Sequence, residues 1–264
     1  MPLPKGTTRE DIIESIPSRI ENYNRNTRNT SYNRSYLRFI TEREKGIKSF
    51  GGLTKWLASQ DAVNSIYMLM QQFGMQARAS VLTEPKVFAR KLFELTLKVD
   101  VDGLSSFTPD QGPLTTKLGN STVAQELGKL FDFCSKWGHF SEAGGIVIGS
   151  KVAHAILPEL CPMIDTSHIG ISLHNVASGE YLSPGDSWDE YLGYTPEGKY
   201  NPSPRGDGRK SWKRDQFLCA IGLYARIYHD RQEANGCPGV TAFLALDPVE
   251  GTTGIPRLLD KVFW

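Results

Sequence analysis

Apolar residues recur every three to four positions along several long stretches of this chain, and this helical spacing constrains the fold more than any other feature. The stretches that show it are residues 51–75, 84–99, 121–137 and 211–234. Each would form a helix with one apolar face, which has to pack against other helices. For the tail from Gly236 we expect one short strand and a small terminal helix. The sequence therefore predicts a mostly α protein.

The chain of 264 residues has no convincing internal boundary and no visible repeat. We predict a single domain over residues 1–264, in which the helices form two lobes of one body. The segment 178–210 is dense in Gly, Pro, Tyr and Trp, and it is predicted to be a long irregular loop. Loops of this length inside a domain are often functional.

Local signals predict where some of the helices begin and end. Thr7 and Glu10 have the spacing of a capping box, in which a threonine oxygen and a carboxylate satisfy the first free amides of a helix. Pro17 is expected to interrupt the helix that follows, because proline lacks an amide donor. A later helix is predicted to run from about Ser150 to Leu157.

Composition and charge restrict the class of protein. The formal net charge is +1 and 39% of the residues are hydrophobic, which is typical of a soluble globular chain. No apolar run reaches the roughly 18 residues that span a bilayer, and the amino-terminal residues lack the apolar block of a secretory signal. We therefore expect a cytoplasmic protein that is a monomer and has no membrane contact.

The cysteines and histidines do not suggest a metal site. The cysteines are Cys134, Cys161, Cys219 and Cys237. They are widely spaced, so we expect reduced thiols and no zinc or iron–sulfur cluster. His168 and His174 have no common zinc spacing, and His154 on an apolar helix face is expected to be a core histidine. We predict neither a metal nor a cofactor.

Residues 19–45 form a basic arm that is rich in asparagine and tyrosine. Between Glu21 and Glu42 there is no acidic residue, while arginines alternate with aromatic residues. The arginines are Arg25, Arg28, Arg34 and Arg38. Because Asn and Thr favour turns, the first half is predicted to be an exposed loop. The arm is a candidate nucleic-acid contact; the alternative is a solvated arm that packs on the body through its tyrosines.

A second basic patch spans residues 203–214, ahead of a predicted helix. Among its cations, Arg209, Lys210 and Lys213 are candidate DNA phosphate contacts. Aromatic residues such as Tyr181 and Trp188 in the preceding loop could offer a wall on which bases stack. The alternative is a solvated loop and helix start, because charge runs usually serve solubility.

Residues 144–168 hold a spacing that suggests chemistry. The glycines at 144, 145 and 149 permit a tight bend with exposed amides at the positive end of a helix, which suits a phosphate. Lys151 would lie in the first turn of that helix, where the dipole disfavours its ammonium, and a lowered pKa would leave the neutral amine that Schiff-base chemistry requires. The structural alternative is a surface lysine, with Asp165 as the cap of the next helix.

The motif Gly-x-Lys-x-Ala at residues 149–153, followed by Asp-Thr-x-His at 165–168, resembles the helix-hairpin-helix DNA glycosylases. The same segment is similar to uncharacterised proteins with the 8-oxoguanine-glycosylase fold. The resemblance implies a two-lobed helical fold that grips duplex DNA while a damaged or modified base is flipped into a cleft.

The resemblance also implies roles for single residues. The hairpin that grips the DNA backbone would include Gly145, Gly149 and Ser150. In members with AP-lyase activity the lysine attacks the sugar C1′ carbon, and Lys151 stands at the matching position. Asp165 stands where the family's aspartate supports the positive charge that develops on the sugar.

Three hypotheses on function follow. The leading one is a DNA glycosylase, with or without AP-lyase activity, that acts on a damaged or modified base. The second is a nucleic-acid-binding helical protein without catalysis, which uses the two basic segments. The third is a helical protein-interaction or defence-associated domain with no nucleic-acid role.

Overall fold

A computed structural model describes residues 2–74, 81–165, 168–177, 210–235, 239–249 and 254–264. The amino-terminal half contains helices α1 (Arg9–Arg25), α2 (Thr27–Phe50), α3 (Leu53–Leu57), α4 (Gln60–Gln72), α5 (Pro85–Thr96) and α6 (Val101–Ser105). The remaining helices are α7 (Val123–Cys134), α8 (Ile146–Ile156), α9 (Ile169–Ala177), α10 (Lys210–Asn235), α11 (Gly239–Leu244) and α12 (Ile255–Phe263). The prediction of a mostly α protein is confirmed.

Two short strands and one 3-10 turn accompany these helices in the described ranges. Strands β1 (Lys117–Leu118) and β2 (Ser121–Thr122) pair in an antiparallel hairpin just before α7. The 3-10 turn spans Pro109–Gln111. The short strand expected after Gly236 is wrong for the described part of the tail, because Gly239–Leu244 forms a helix there and buries Phe243.

Helix α1 begins one residue later than the capping signal suggested and continues through its proline. Thr8 is the N-cap, and it exchanges hydrogen bonds with Asp11 as a capping box. Pro17 lies inside the helix, so the expected interruption is wrong. Pro17 is exposed to solvent. Because proline has no amide hydrogen, the Ile13 carbonyl has no partner at position 17. This carbonyl instead accepts a hydrogen bond from Arg231 Nη1 at 3.4 Å.

The basic arm is helical, and the expectation of an exposed loop is wrong. Only Asn26 separates α1 from α2. The asparagines that disfavour helix interiors find partners here, since Asn29 donates to the Tyr23 carbonyl at 3.1 Å and Asn33 donates to Asn24 Oδ1 at 2.9 Å. Burial of Tyr23 and other aromatic side chains of this segment then holds both helices on the body.

Most of the buried hydrophobic residues belong to one continuous cluster that runs from Leu3 to Phe263. Helix α2 packs along α4, α7 packs on α8, and α12 packs between α1 and α10. The first and last helices are therefore neighbours in space. The predicted division into two lobes stays a prediction, as does the single-domain boundary.

The predicted loop at 178–210 lies outside the described residues except for Lys210, with which α10 begins. The helix expected at 211–234 is confirmed, with one more residue at each end. Across the described ranges, no helix combines the length and the apolar character that crossing a membrane requires.

Candidate functional site

Helix α8 carries Lys151 at its middle and not in its first turn. The helix begins at Ile146, because Gly144 and Gly145 take positive φ angles of 64° and 102° and complete the turn early. The expected start near Ser150 is therefore wrong. The dipole effect that was expected to act on the Lys151 ammonium falls off within the first turn, so it does not apply at this position.

Gly149 serves close packing between α8 and the end of α7. A Cβ atom added at Gly149 would lie 2.7 Å from the Cβ of Ser135, a distance that real side chains do not tolerate. Ser135 also anchors the turn before α8, because its carbonyl accepts a hydrogen bond from the Gly145 amide at 2.7 Å. The glycines of the motif thus let the two helices approach each other.

Ser150 joins α8 to the segment that carries the aspartate. Its Oγ accepts a hydrogen bond from the Ile164 amide at 2.9 Å and donates to the Ile164 carbonyl at 3.2 Å. The side chain is fully buried, so it has no surface for the phosphate contact that was predicted. Because Lys151 and Asp165 directly follow the two bonded residues, their backbones are neighbours in the fold.

Lys151 is half-buried and lies against an aromatic residue at the end of α4. Its Nζ is 3.4 Å from the carbonyl oxygen of Phe73 and 5.7 Å from the centroid of the Phe73 ring. The Phe73 ring in turn lies 6.0 Å from the ring of Tyr32 on α2. The ammonium is therefore held over an aromatic face by a cation–π contact and a hydrogen bond.

Asp165 caps helix α9. Its Oδ1 accepts hydrogen bonds from the amides of His168 at 3.1 Å and Ile169 at 2.7 Å, and its Oδ2 lies 3.0 Å from His168 Nδ1. The imidazole is stacked on the Trp264 ring with centroids 4.3 Å apart and planes 11° apart. Asp165 therefore has the structural role of a helix cap, which was the alternative hypothesis for this residue. This role holds its carboxylate at the start of α9.

A second carboxylate, which the sequence analysis missed, lies close to this segment. Asp260 on α12 accepts hydrogen bonds from the Met163 amide at 3.0 Å and from the Tyr224 hydroxyl at 2.9 Å. Burial raises the pKa of Asp260 to about 8, against the opposing effects of these hydrogen bonds and of Arg257. The charge of Asp165 raises this pKa further.

The sequence of the short terminal helix gave no signal for Asp260. Its charged residues Arg257, Asp260 and Lys261 recur at helical spacing and share one face, yet all three are buried. A charged stripe at this spacing ordinarily predicts a solvated face. The burial of this face depends on the elements that pack around α12, and the sequence of the helix does not contain that information.

Two arginines of the basic arm pair with acidic residues. Arg25 pairs with Glu21 at 2.5 Å and Arg38 pairs with Glu42 at 2.8 Å, both one helical turn away. Arg34 is exposed on α2. The acidic residues that bound the arm in sequence therefore neutralise two of its cations, because the helix brings them within reach.

Several predicted DNA contacts cannot be placed. Arg209 lies outside the described residues, as do Tyr181 and Trp188. Lys210 and Lys213 belong to the first turn of α10, and Arg28 belongs to α2, but their side chains are not among those described. The contacts assigned to them stay predictions.

His154 is a core histidine, as expected from its apolar helix face. Its Nε2 lies 2.8 Å from the Tyr36 hydroxyl and its Nδ1 lies 2.5 Å from the Cys161 carbonyl oxygen. Burial lowers the pKa of His154 to about 3. Among the described residues, no group of three or more His, Cys, Asp or Glu side chains is placed to hold a metal ion.

Comparison with known proteins adds no relative. No family model matches the chain, and neither a curated protein nor a solved structure is significantly similar to it. The resemblance to the helix-hairpin-helix glycosylases therefore depends on the residues around Lys151 and Asp165 themselves.

Proposed function

We propose that this protein is a DNA glycosylase that removes a damaged or modified base through Lys151 and Asp165. The observation that carries the proposal is the pair of hydrogen bonds between Ser150 and Ile164. These bonds tie the helix that holds the lysine to the segment that holds the aspartate. An amine and a carboxylate that must act on one sugar need this kind of fixed relation.

In the proposed reaction, Lys151 gives up its ammonium proton to solvent and the neutral amine attacks the C1′ carbon of the sugar. The bond between C1′ and the base nitrogen breaks, and the base leaves with the bonding electron pair and takes up a proton from solvent. The attached nitrogen then releases a proton, the bond between C1′ and the ring oxygen breaks, and this oxygen takes up a proton while C1′ and the nitrogen form a protonated imine. Asp165 would stabilise the positive charge that develops on the sugar ring as the base departs.

Aromatic residues near both groups support this proposal. Phe73 and Tyr32 lie on the side of Lys151, and His168 stacked on Trp264 lies on the side of Asp165. An extruded base requires flat apolar faces for stacking. Fixed aromatic rings beside each of the two reacting groups can supply such faces.

Borohydride trapping tests the role of the lysine. The protein is incubated with duplexes that contain an abasic site or one of a panel of oxidised, alkylated and deaminated bases, and the adduct is resolved by denaturing electrophoresis. We expect a covalent adduct that Lys151→Ala abolishes. Lys55→Ala is the control, since Lys55 is an exposed lysine on another helix. Absence of both adduct and base release with every duplex would contradict the proposal.

Two substitutions separate the capping role of Asp165 from its proposed catalytic role. Asparagine caps helices about as well as aspartate, so Asp165→Asn should keep the unfolding midpoint near that of the unchanged protein while single-turnover base release falls at least 100-fold, the order of a lost charge stabilisation. Asp165→Ala should lower both the unfolding midpoint and the rate of base release. If Asp165→Asn releases base at the original rate, Asp165 is only a cap.

A further inference from the structure

Trp137 is the most exposed of the large hydrophobic side chains in the part of the chain that the structure describes. It leaves 75% of its surface in solvent, although the residue lies in the short connection between α7 and α8. An indole buries a large apolar area when it packs and can stack on flat partners. A tryptophan held in water beside a well-packed core is therefore a candidate contact residue.

The backbone around Trp137 is fixed on both sides. Gly138 has a φ of 71° and donates its amide to the Ser141 carbonyl at 2.9 Å. Gly144 returns close to the same turn, since a Cβ added there would lie 2.8 Å from the Trp137 amide nitrogen. The indole is thus displayed from a tight turn and not from a loose loop.

Two lysines lie close to this turn. Lys136, the residue before Trp137, is exposed. The Nζ of Lys98 lies 5.4 Å from the Phe133 ring centroid, and the Phe133 ring lies 4.3 Å from the ring of His139, two residues after the tryptophan. The exposed indole therefore has a lysine beside it in sequence and another close to the base of its turn.

Charged side chains of both signs act on His139 at the base of this turn. Burial lowers the pKa of this imidazole, and Lys91 and Lys136 lower it further, while the hydrogen bond with the Phe133 carbonyl and the charge of Glu94 act in the opposite direction. Glu94 also pairs with Lys91 at 2.6 Å. Asp132 and Glu142 are the exposed acids nearest to Trp137 along the chain, one on either side, and Asp132 pairs with Arg214 at 3.0 Å. A polyanion is the partner that this combination of lysines and a displayed aromatic ring fits.

We propose that Trp137 stacks on an unpaired base of a DNA strand whose phosphates lie against Lys98 and Lys136. This inference rests on the proposed function, because it assigns DNA as the ligand of this surface and places the contact just before the helix that carries Lys151. A stacked base and two phosphate contacts combine the interactions that hold single or locally opened strands. Neither resemblance nor charge count singled out Trp137 in the sequence.

Fluorescence anisotropy with a labelled duplex that carries a tetrahydrofuran abasic site tests this inference. This probe has no base to release, so binding is measured apart from catalysis. Trp137→Ala should weaken binding about 10-fold at every salt concentration, and Trp137→Phe should restore most of the loss. The double variant with Lys98→Ala and Lys136→Ala should have a shallower slope of log K against log salt, and the decrease should correspond to about two phosphate contacts.

The control is Phe50→Ala, which removes an exposed aromatic side chain at the end of α2, and it should bind unchanged. Equal binding by Trp137→Ala and the unchanged protein overturns the inference, while the adduct with Lys151 still decides the proposed function. If the unchanged protein binds neither this duplex nor a single strand and forms no adduct, both proposals fail together.

Discussion

Asp260 and His154 are single residues whose burial makes stability depend on pH in opposite directions. The pKa of Asp260 is raised from 3.8 to about 8, so the folded state binds the extra proton and loses stability as pH rises between these values. The pKa of His154 is lowered from 6.5 to about 3, so stability is lost as pH falls below 6.5. The two effects oppose each other in acid, and Asp260 acts alone between pH 6.5 and 8.

The window above pH 6.5 gives a test at this scale. We expect the free energy of unfolding to fall by about 2 kcal/mol between pH 6.5 and 8 because of Asp260. Asp260→Asn cannot ionise, so urea unfolding of this variant should show a smaller loss over the same interval. His154→Gln is the control, since it should leave the fall above pH 6.5 in place. If the unfolding free energy of Asp260→Asn depends on pH as strongly as that of the unchanged protein, Asp260 is not the group that binds the proton in the folded state.

At the scale of the element, α1 shows how a distant side chain compensates for a helix-breaking residue. Pro17 removes one backbone hydrogen bond, and Arg231 on α10 donates to the Ile13 carbonyl that is left without its amide. The sequence pattern placed an interruption at this proline because it gives no information on a donor more than 200 positions away. The helix therefore continues where local chemistry alone would stop it.

A double-mutant cycle measures this compensation. Arg231→Met should cost about 1 kcal/mol of unfolding free energy, because it leaves the buried carbonyl unsatisfied. In a Pro17→Ala background the new amide can reach the Ile13 carbonyl, so the same substitution should cost clearly less. Unfolding in urea gives all four values. If the two costs are equal within error, the contact contributes nothing to the continuity of α1.

At the scale of the whole molecule, the last helix fastens the first two helices to the rest of the chain. Lys261 pairs with Asp247 at 2.6 Å with both side chains almost fully buried, and it also donates to Asn24 Oδ1 at 3.0 Å. Arg257 donates to Asn33 Oδ1 at 3.0 Å and lies 4.8 Å from the centroid of the Tyr36 ring. Polar contacts thus connect the two ends of the described chain through its interior.

Removing one member of the buried pair of Lys261 and Asp247 should destabilise the protein more than removing both members. Lys261→Met leaves the Asp247 carboxylate buried without its main partner, and we expect a loss of about 3–5 kcal/mol. Lys261→Met combined with Asp247→Leu should recover part of that loss. Thermal unfolding monitored by circular dichroism compares the variants. A double variant as unstable as the single one would mean that packing, and not charge, decides the effect.

The sequence by itself determined the helical class, the core role of His154 and the approximate bounds of α5, α7 and α10, whereas the stretch at 51–75 forms two helices, α3 and α4. It could do so because helical periodicity and local capping depend on neighbours within a few residues. It placed the start of α8 too late, because two glycines with positive φ end the preceding turn earlier than the motif suggested.

Only the tertiary structure decided the environments of the polar residues. Asn29 and Asn33 are helix-disfavouring by themselves, and their partners across the α1–α2 break make them stabilising. In the sequence, Asp260 looks like an ordinary surface charge. In the structure, it accepts hydrogen bonds from the Met163 amide and the Tyr224 hydroxyl. Hydrogen bonding and burial depend on contacts between residues far apart in the chain, and no local pattern contains that information.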